Sequence, residues 1–231
     1  MKLYIVGLIV SILIGSISCS APQKQEQTSE KQSSQKEMST TESKDQIILF
    51  FGNSITAGYG LDPEDAFPAA IQDILDSLNY PYQVVNAGLS GETTAGGLNR
   101  IEWVLQTVPD IFVLELGAND GLRGLDLTAT HKNLIAIVEK VKAVNPDVEV
   151  IIAGMEVPPN LGPDYTKEFR QIFPAVAKET QSDLIPFILE KVAGEPALNQ
   201  NDGIHPTAEG HELVAQTVWT YLQPHLQKEA L

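Results

Sequence analysis

The sequence predicts an α/β domain in which helices cover both faces of a five-stranded parallel sheet. After residue 45, short runs rich in β-branched and aromatic residues are apolar nearly throughout, as strands buried on both faces are. Between these runs lie segments of helical period and helical length. Because parallel strands joined by helices cross over with a fixed hand, we expect residues 46–231 to form a three-layer α/β/α sandwich.

The elements are expected in strict alternation. The predicted strands are residues 46–51, 82–87, 110–116, 148–154 and 183–187. The predicted helices are residues 68–78, 92–107, 126–145, 166–180 and 207–222. Pro68 can open the first helix, since proline is favoured in a first turn. Pro174 should kink or split the fourth helix, because it lacks an N–H and clashes with the preceding turn.

The first 19 residues have the character of a signal peptide. One lysine precedes an apolar run that is shorter than the roughly 20 residues needed to span a bilayer. The single cysteine, Cys19, stands at the expected cleavage boundary, and the stretch resembles a bacterial lipoprotein signal in which that cysteine becomes the lipidated first residue. Ser16 departs from the lipoprotein pattern, so simple secretion without a lipid is the alternative.

Residues 20–45 consist mainly of Ser, Gln, Lys, Glu and Thr, with Met38 as the one large apolar side chain. Such a segment cannot bury enough surface to offset its ordering entropy, so we expect a disordered tether. With a lipid on Cys19 it would hold the domain at a membrane, in the periplasm or at the cell surface. Docking of a partner by this segment is the other interpretation.

Charge and cysteine content exclude several classes of function. Acidic residues outnumber basic ones by 30 to 15, so the formal charge of −15 repels a phosphate backbone and nucleic acid is not an expected partner. A single cysteine allows no internal disulfide. No metal-ligand spacing and no phosphate-loop pattern is present, so neither metal nor organic cofactor is expected.

Four polar, glycine-rich clusters are placed where a ligand would bind. "GNSITAGYG", "GLSGETTAGG" and "GANDGLRG" follow the first three predicted strands, and "DGIHPTAEGH" precedes the last helix. In open α/β sheets ligands bind outside the carboxyl ends of the strands. All four clusters can therefore face one crevice.

Ser54 lies in the first of these clusters, three residues after the apolar run. Gly52 should permit an unusual backbone angle there, so that the Ser54 hydroxyl projects into the crevice while its N–H faces a bound oxyanion. A serine that only hydrogen-bonds the turn explains the motif equally well. The G-x-S-x-G elbow of ordinary α/β-hydrolases is absent.

A serine nucleophile needs a base, and His205 is the one histidine with a carboxylate at a suitable spacing, Asp202. Gly203 lets the chain fold back, so Asp202 can accept from Nδ1 and leave Nε2 facing Ser54. Pro206 then fits the first turn of the last helix. The alternative is a turn followed by a helix cap. The remaining histidines are expected to be solvent-exposed helix residues: His131, His211 and His225.

Acyl transfer also needs donors to the tetrahedral oxyanion. Gly91 can offer an unobstructed backbone N–H and Asn119 a side-chain amide, and the loss of one such donor costs about 3 kcal/mol. Asp120 is a rival acid, but we assign it a cap or turn role because no histidine is close to it in sequence.

Taken together, the four clusters resemble the conserved blocks of the SGNH (GDSL) hydrolase family, most closely its thioesterase, lysophospholipase and arylesterase branch, over residues 46–222. The resemblance implies a flavodoxin-like α/β/α fold without a cofactor. It also implies a nucleophile, Ser54, an oxyanion hole formed by Ser54, Gly91 and Asn119, and a triad completed by Asp202 and His205.

One position departs from the family pattern, since Asn53 stands where the family usually has aspartate before the serine. Asn53 keeps an acceptor for the turn and removes a negative charge beside the oxyanion, so we expect activity to survive. The predicted function is a serine esterase that cleaves lysophospholipid, aryl or short acyl esters, or thioesters, through an acyl-enzyme. The alternatives are a carbohydrate O-deacetylase and a non-catalytic surface binding protein.

Overall fold

The computed structural model describes residues 46–227. The predicted leader, Cys19 and the predicted tether lie outside the described residues. Within residues 46–227, none of the helices has the length and apolar character needed to cross a bilayer.

In this part of the chain five parallel strands form one sheet, as predicted. They are β1 (Gln46–Gly52), β2 (Tyr82–Gly88), β3 (Ile111–Glu115), β4 (Glu149–Ala153) and β5 (Asp183–Ile185). Their order is β2-β1-β3-β4-β5, and all neighbours are parallel. The chain leaves β1 toward β2 on one side and later returns to β3 on the other, so a topological switch point opens at the carboxyl end of β1.

Seven α-helices of the described residues connect and cover these strands. They are α1 (Ser54–Ala57), α2 (Phe67–Ser77), α3 (Thr94–Val104), α4 (Ala118–Leu122), α5 (Leu127–Val144), α6 (Pro163–Thr180) and α7 (Ala208–Leu222). Helices α3, α5 and α6 pack side by side in one layer, and α2 packs on α7 in the other. The three-layer prediction is confirmed; α1 and α4 are single turns that periodicity did not predict.

Strand β1 is anchored on both faces by consecutive phenylalanines. The Phe50 ring meets Phe67 of α2 edge to face, with centroids 5.2 Å apart. The Phe51 ring lies 5.8 Å from Phe112 and carries the guanidinium of Arg100 from α3 on its face at 4.2 Å. Because adjacent side chains of a strand point to opposite faces, the two rings tie β1 to both helical layers and fix the position of its carboxyl end.

The expected break at Pro174 is absent, because α6 runs unbroken from Pro163–Thr180. Pro174 and Arg170, one turn earlier, are both exposed, so water can satisfy the Arg170 carbonyl that proline leaves without a donor. Phe173 and Val176 on the other face are buried and hold the helix on the sheet. Of the two predicted effects, the split is wrong, because tertiary packing outweighs one lost hydrogen bond, and the kink stays a prediction.

Candidate active site

Ser54 opens the short helix α1 directly beyond β1, at the switch point. Asn53 caps this helix, since its side-chain oxygen accepts from the Ile55 N–H at 3.1 Å. Gly58 ends the helix with φ of 68°, in the left-handed region that favours glycine. The turn holds the half-buried Ser54 side chain above the edge of the sheet.

Gly52 is required for space rather than for an unusual backbone angle, so that expectation was wrong. Its φ does not fall in the left-handed region. A Cβ at this position would lie 2.0 Å from Thr56 Oγ1 and 2.6 Å from Glu115 Oε2. The glycine therefore allows α1 to fold tightly onto the end of the sheet.

The structure brings Ser54, His205 and Asp202 together in one chain of hydrogen bonds. His205 Nε2 lies 2.9 Å from Ser54 Oγ, and His205 Nδ1 lies 2.7 Å from Asp202 Oδ2. Gly203, with φ of 69°, reverses the chain, and Asp202 Oδ1 accepts from the N–H groups of Ile204 and His205. The His205 ring bond and these two backbone donors lower the pKa of Asp202 to about 2, so its carboxylate is ionised at neutral pH.

Gln200 joins the loop that carries Asp202 and His205 (the histidine loop) to the turn that carries Ser54 (the serine turn). Its side-chain amide donates to the carbonyls of Tyr59 at 2.7 Å and Pro206 at 3.0 Å, while its backbone N–H donates to the His205 carbonyl. The Tyr59 ring lies 4.6 Å from the His205 ring. Sequence reasoning missed this clamp, because a single glutamine carries no recognisable pattern.

Pro206 does not enter the last helix as predicted. It forms an isolated bridge with Asn199, and Thr207 caps α7 by accepting from the Gly210 N–H. The histidine loop is therefore pinned at its end by backbone pairing.

Three potential oxyanion donors lie at this same edge, on α1, on the turn before α3 and on α4. Within residues 46–227, the hydrogen bonds leave the backbone N–H groups of Ser54 and Gly91 without an acceptor. The Asn119 amide donates one hydrogen to the Glu92 carbonyl at 3.0 Å, and its second hydrogen is left for a ligand. Gly91 has φ of 79°, and Arg123 binds its carbonyl at 2.9 Å, which orients the peptide.

The Gly91 loop is supported by a partly buried ion pair in which the carboxylate of Glu92 is buried. Arg100 donates to both carboxylate oxygens of Glu92 at 2.6 to 2.9 Å and to the Ala87 carbonyl at 2.7 Å. Such a bidentate pair fixes geometry as well as charge. Since the Glu92 carbonyl also holds Asn119, this pair braces two of the three donors.

Asp120 has the cap role that the sequence suggested. Its buried carboxylate accepts from the N–H of Thr94 at 2.9 Å, from the Thr94 hydroxyl at 2.6 Å and from the Thr130 hydroxyl at 3.2 Å. It thereby satisfies the first turn of α3 and ties α3 and α5 to α4. Asn119 is held in place by this neighbour.

Glu115, at the end of β3, is a fully buried carboxylate that sequence reasoning missed. It accepts from the backbone N–H groups of Asn53 and Thr56, from the Thr56 hydroxyl and from the Asn53 amide. Burial raises the pKa of Glu115 to about 7, while these hydrogen bonds act in the opposite direction. The available signal was a single charge at the end of an otherwise apolar strand.

The expectation of three exposed histidines fails at each of them, since even the His131 side chain is only 26% exposed. His211 is buried, and its Nδ1 accepts from the Phe67 N–H at 3.2 Å. Burial lowers the pKa of His211 to about 4, so the ring is neutral. His225 is largely buried in the 3-10 turn Gln223–His225, with its Nε2 2.9 Å from Asp183 Oδ2. The first turn of α7 packs on α2. The polar residues next to His211 in the sequence gave no indication of this burial.

Other features of the described residues lie apart from this chain of hydrogen bonds. A groove of about 450 Å³ runs beside β2 and α3 and is lined by Leu89 and Trp103 among others, and none of Ser54, Asp202 and His205 lines it. In residues 46–227, no group of His, Cys, Asp and Glu side chains is arranged to hold a metal ion.

Comparison with known proteins gives one consistent family. The model of the GDSL-like Lipase/Acylhydrolase family matches residues 50–213. Esterase TesA of Pseudomonas aeruginosa is 40% identical over 182 residues, which cover 78% of this chain and 90% of that protein. Thioesterase 1/protease 1/lysophospholipase L1 of Escherichia coli strain K12 is 38% identical over 178 residues, 77% of this chain and 83% of that protein.

A solved structure agrees with these sequences. The crystal structure of the psychrotrophic esterase EstA from Pseudoalteromonas sp., inhibited by monoethylphosphonate, superposes with a TM-score of 0.74 at 34% identity, and the match covers 78% of this chain and 98% of that one. Because the family match spans most of the chain and these relatives are esterases or thioesterases, the chain belongs to the GDSL-like lipase/acylhydrolase family and is a serine esterase that hydrolyses ester bonds.

Proposed function

We propose that Ser54 is the nucleophile of this esterase, that His205 is its general base and that Asp202 orients the histidine. The unbroken contact from Ser54 Oγ through both ring nitrogens of His205 to the Asp202 carboxylate carries this proposal. With Asp202 accepting from Nδ1–H, the lone pair of Nε2 faces the serine hydroxyl, which is the tautomer that a base requires.

The reaction follows from that geometry. As Ser54 Oγ bonds to the carbonyl carbon, its proton moves to His205 Nε2 and the carbonyl oxygen becomes an oxyanion. The N–H groups of Ser54 and Gly91 and the Asn119 amide donate to that oxygen. When the intermediate collapses, the bond to the leaving alcohol or thiol breaks and the imidazolium gives its proton to the leaving group.

The acyl-enzyme is then hydrolysed by the same groups. A water molecule attacks the Ser54 ester and loses its proton to His205 Nε2, and collapse of the second intermediate returns that proton to Ser54 Oγ and releases the carboxylic acid. Asp202, ionised throughout, stabilises the imidazolium formed in each half of the cycle.

Exposed apolar side chains around the site favour acyl esters of lipid or aryl alcohols, or the corresponding thioesters, as substrates. Of the ten exposed large apolar side chains in residues 46–227, five lie on segments that follow the strand ends or on the histidine loop and outside the groove beside β2: Tyr59, Leu122, Leu125, Leu161 and Ile204. Apolar surface at the mouth of a site gains free energy by covering a hydrocarbon chain. A sugar ring would leave most of this apolar surface exposed to water.

The test of the nucleophile is Ser54→Ala. The variant should lose hydrolysis of p-nitrophenyl butyrate and labelling by a fluorophosphonate probe, because no oxygen remains to attack. Ser77→Ala is the matched control, since the Ser77 hydroxyl is exposed at the end of α2 and donates only to the Ile74 carbonyl. Turnover or labelling that persists in Ser54→Ala would remove Ser54 from the mechanism.

The substrate class is tested by a series of acyl esters of increasing chain length, measured beside a lysophospholipid and acetylated xylan. We expect kcat/KM to rise with chain length beyond acetyl and the lysophospholipid to be cleaved. Activity confined to acetylated xylan would instead identify the carbohydrate O-deacetylase.

We further propose that the protein is exported and lipidated on Cys19, and that residues 20–45 tether residues 46–231 to a membrane. The apolar run before Cys19 and the polar composition after it support this proposal. Cys19→Ser should move the esterase from the membrane fraction to the soluble fraction without a change in kcat. Wild-type protein found only in the soluble fraction would instead indicate simple secretion.

A further inference from the structure

Directly beneath the nucleophile lies a carboxylate that the proposed reaction does not use. Glu115 is 1% exposed and contacts the turn that carries Ser54 through both of its oxygens. Oε2 accepts from the backbone N–H groups of Asn53 and Thr56 at 3.1 and 3.2 Å and from the Thr56 hydroxyl at 2.8 Å. Oε1 accepts from Asn53 Nδ2 at 2.7 Å. Glu115 is therefore surrounded by donors.

These contacts determine which way the Asn53 amide faces. Its nitrogen points to Glu115, so its oxygen must point to α1. That oxygen accepts from the Ile55 N–H at 3.1 Å and lies 3.3 Å from Ser54 Oγ. A reversed amide would place an NH₂ group against the Ile55 N–H, leaving two buried donors in contact, an arrangement that is strongly destabilising.

The Ser54 hydroxyl consequently lies between two acceptors. Asn53 Oδ1 is 3.3 Å from its oxygen on one side, and His205 Nε2 is 2.9 Å away on the other. The hydroxyl has a single hydrogen, which it donates to His205 Nε2 in the reactive arrangement, so Asn53 acts on Ser54 mainly by capping α1 and fixing the backbone of the turn. A serine held in this way needs less reorganisation before it attacks.

We propose that Glu115 is a positioning residue for the nucleophile and acts through Asn53, whose amide it orients so that the amide oxygen caps α1 and fixes the start of that helix, where Ser54 lies, relative to His205. This inference rests on the proposed role of Ser54. It also gives a reason for asparagine at position 53, since an amide supplies a permanent hydrogen to Glu115, whereas an aspartate there would have to share a proton with it.

A pair of substitutions tests the direction of this hydrogen bond. In Glu115→Gln, the amide oxygen must replace Oε2 to satisfy three donors, so the new NH₂ group faces the Asn53 amide and forces it to reverse. We expect kcat for p-nitrophenyl butyrate to fall at least tenfold, with KM within twofold of the wild-type value, because the acyl site is untouched.

Adding Asn53→Asp to Glu115→Gln should restore activity. The new carboxylate can accept from the amide introduced at position 115 with one oxygen and from the Ile55 N–H with the other, so the buried donors are satisfied again and the Ser54 hydroxyl stays available to His205. We expect kcat of the double variant to return to within about threefold of the wild-type value. A role in folding alone would lower the melting temperature of Glu115→Gln and leave kcat of the folded protein unchanged.

Asp110→Asn is the matched control, because Asp110 also accepts a backbone N–H across β1 and β3, but at the opposite end of the sheet. It should leave kcat within twofold of wild type. Thermal unfolding of each variant, together with its rate of fluorophosphonate labelling, separates loss of fold from loss of nucleophile geometry. Labelling should slow in Glu115→Gln and recover in the double variant.

Two results would overturn the inference: a wild-type kcat in Glu115→Gln, or a double variant no faster than Glu115→Gln. Either result could occur while the fluorophosphonate probe labels wild-type protein and Ser54→Ala is inactive. In that case the proposed function stands, and only the positioning role of Glu115 is rejected. If wild-type protein is not labelled at Ser54, the proposed function itself fails.

Discussion

The two ends of the sheet contain similar pairs of side chains with different consequences. At the carboxyl end, His205 contacts Asp202 at 2.7 Å, and its second nitrogen meets Ser54. At the amino end, His225 contacts Asp183 at 2.9 Å, and its second nitrogen lies 3.5 Å from another carboxylate, that of Glu149. An aspartate–histidine pair therefore does not by itself indicate a catalytic site. The group that contacts the second ring nitrogen determines what the pair can do.

The carboxylates between β1 and β3 repeat this contrast. Asp110 accepts the Ile47 N–H at 2.7 Å at the amino end, where it is partly exposed. Glu115 accepts the Asn53 N–H at 3.1 Å at the carboxyl end, where it is buried. Water can replace a lost hydrogen-bond partner at Asp110 but not at Glu115. Only the buried carboxylate therefore requires that neighbouring residues supply all of its hydrogen bonds.

The largest effect is expected from breaking the carboxyl-end pair with Asp202→Asn. The asparagine oxygen can still accept from the Ile204 and His205 N–H groups, so the turn survives. Its NH₂ group then donates to His205 Nδ1 and moves the ring proton to Nε2, where it faces Ser54 and prevents deprotonation. We expect kcat to fall on the order of 1,000-fold, with little change in the free energy of unfolding because Asp202 is exposed.

Asp183→Asn is the corresponding change at the amino end and serves as its control. It removes the charge beside His225 but contacts none of the groups at the carboxyl edge. Measured with the same ester, kcat should stay within twofold of wild type. Equal losses of kcat in Asp202→Asn and Asp183→Asn would mean that the two aspartate–histidine pairs do not differ in their effect on catalysis.

A second histidine at the carboxyl end sharpens the comparison through pH. The folded-state pKa of His211, about 4, lies below its unfolded value of 6.5, so its contribution to stability is complete above pH 6.5 and is lost as the pH falls to 4. Wild type should lose about 3 kcal/mol over this range relative to His211→Asn, whose side-chain oxygen can replace Nδ1 as acceptor for the Phe67 N–H.

The His211→Asn variant is needed because the contribution of Glu115 to stability changes with pH in the opposite direction. The pKa of Glu115 is raised from 4.5 to about 7, so its contribution to stability falls as the pH rises through that range. Urea unfolding of wild type and His211→Asn at several pH values gives two free energies of unfolding at each pH, and their difference is the contribution of His211. Parallel stability curves would mean that His211 does not titrate as its burial requires.

The smallest effect is expected for Asp110→Asn. Loss of a charged acceptor for the Ile47 N–H should lower the free energy of unfolding by about 1 kcal/mol, since the asparagine oxygen can still accept that bond. Chemical denaturation gives the stability change, and the esterase assay should show no change in kcat. A large loss of activity would show that the amino end is coupled to the site.

Much of the architecture follows from local pattern. The apolar runs that become β1 and β3, and the periodic segment that becomes α5, were predicted within one or two residues of their observed ends. Helices α1 and α4 were missed because a single turn has no periodicity to detect. Gly52 was recognised as important for the wrong reason, since the crowding by Thr56 and Glu115 involves a residue more than 60 positions away.

The sequence alone determined the alternation of strands and helices, the polar clusters at the strand ends and the spacing of Asp202 and His205, because each depends on residues that are close along the chain. Only the tertiary structure decided that Ser54 meets His205 across 151 positions, that Gln200 clamps their loops and that Asn53 faces Glu115. Such contacts depend on how the crossovers return the chain to one edge of the sheet and on which carboxylate is thereby sealed from water. Neither leaves a periodic trace in the sequence.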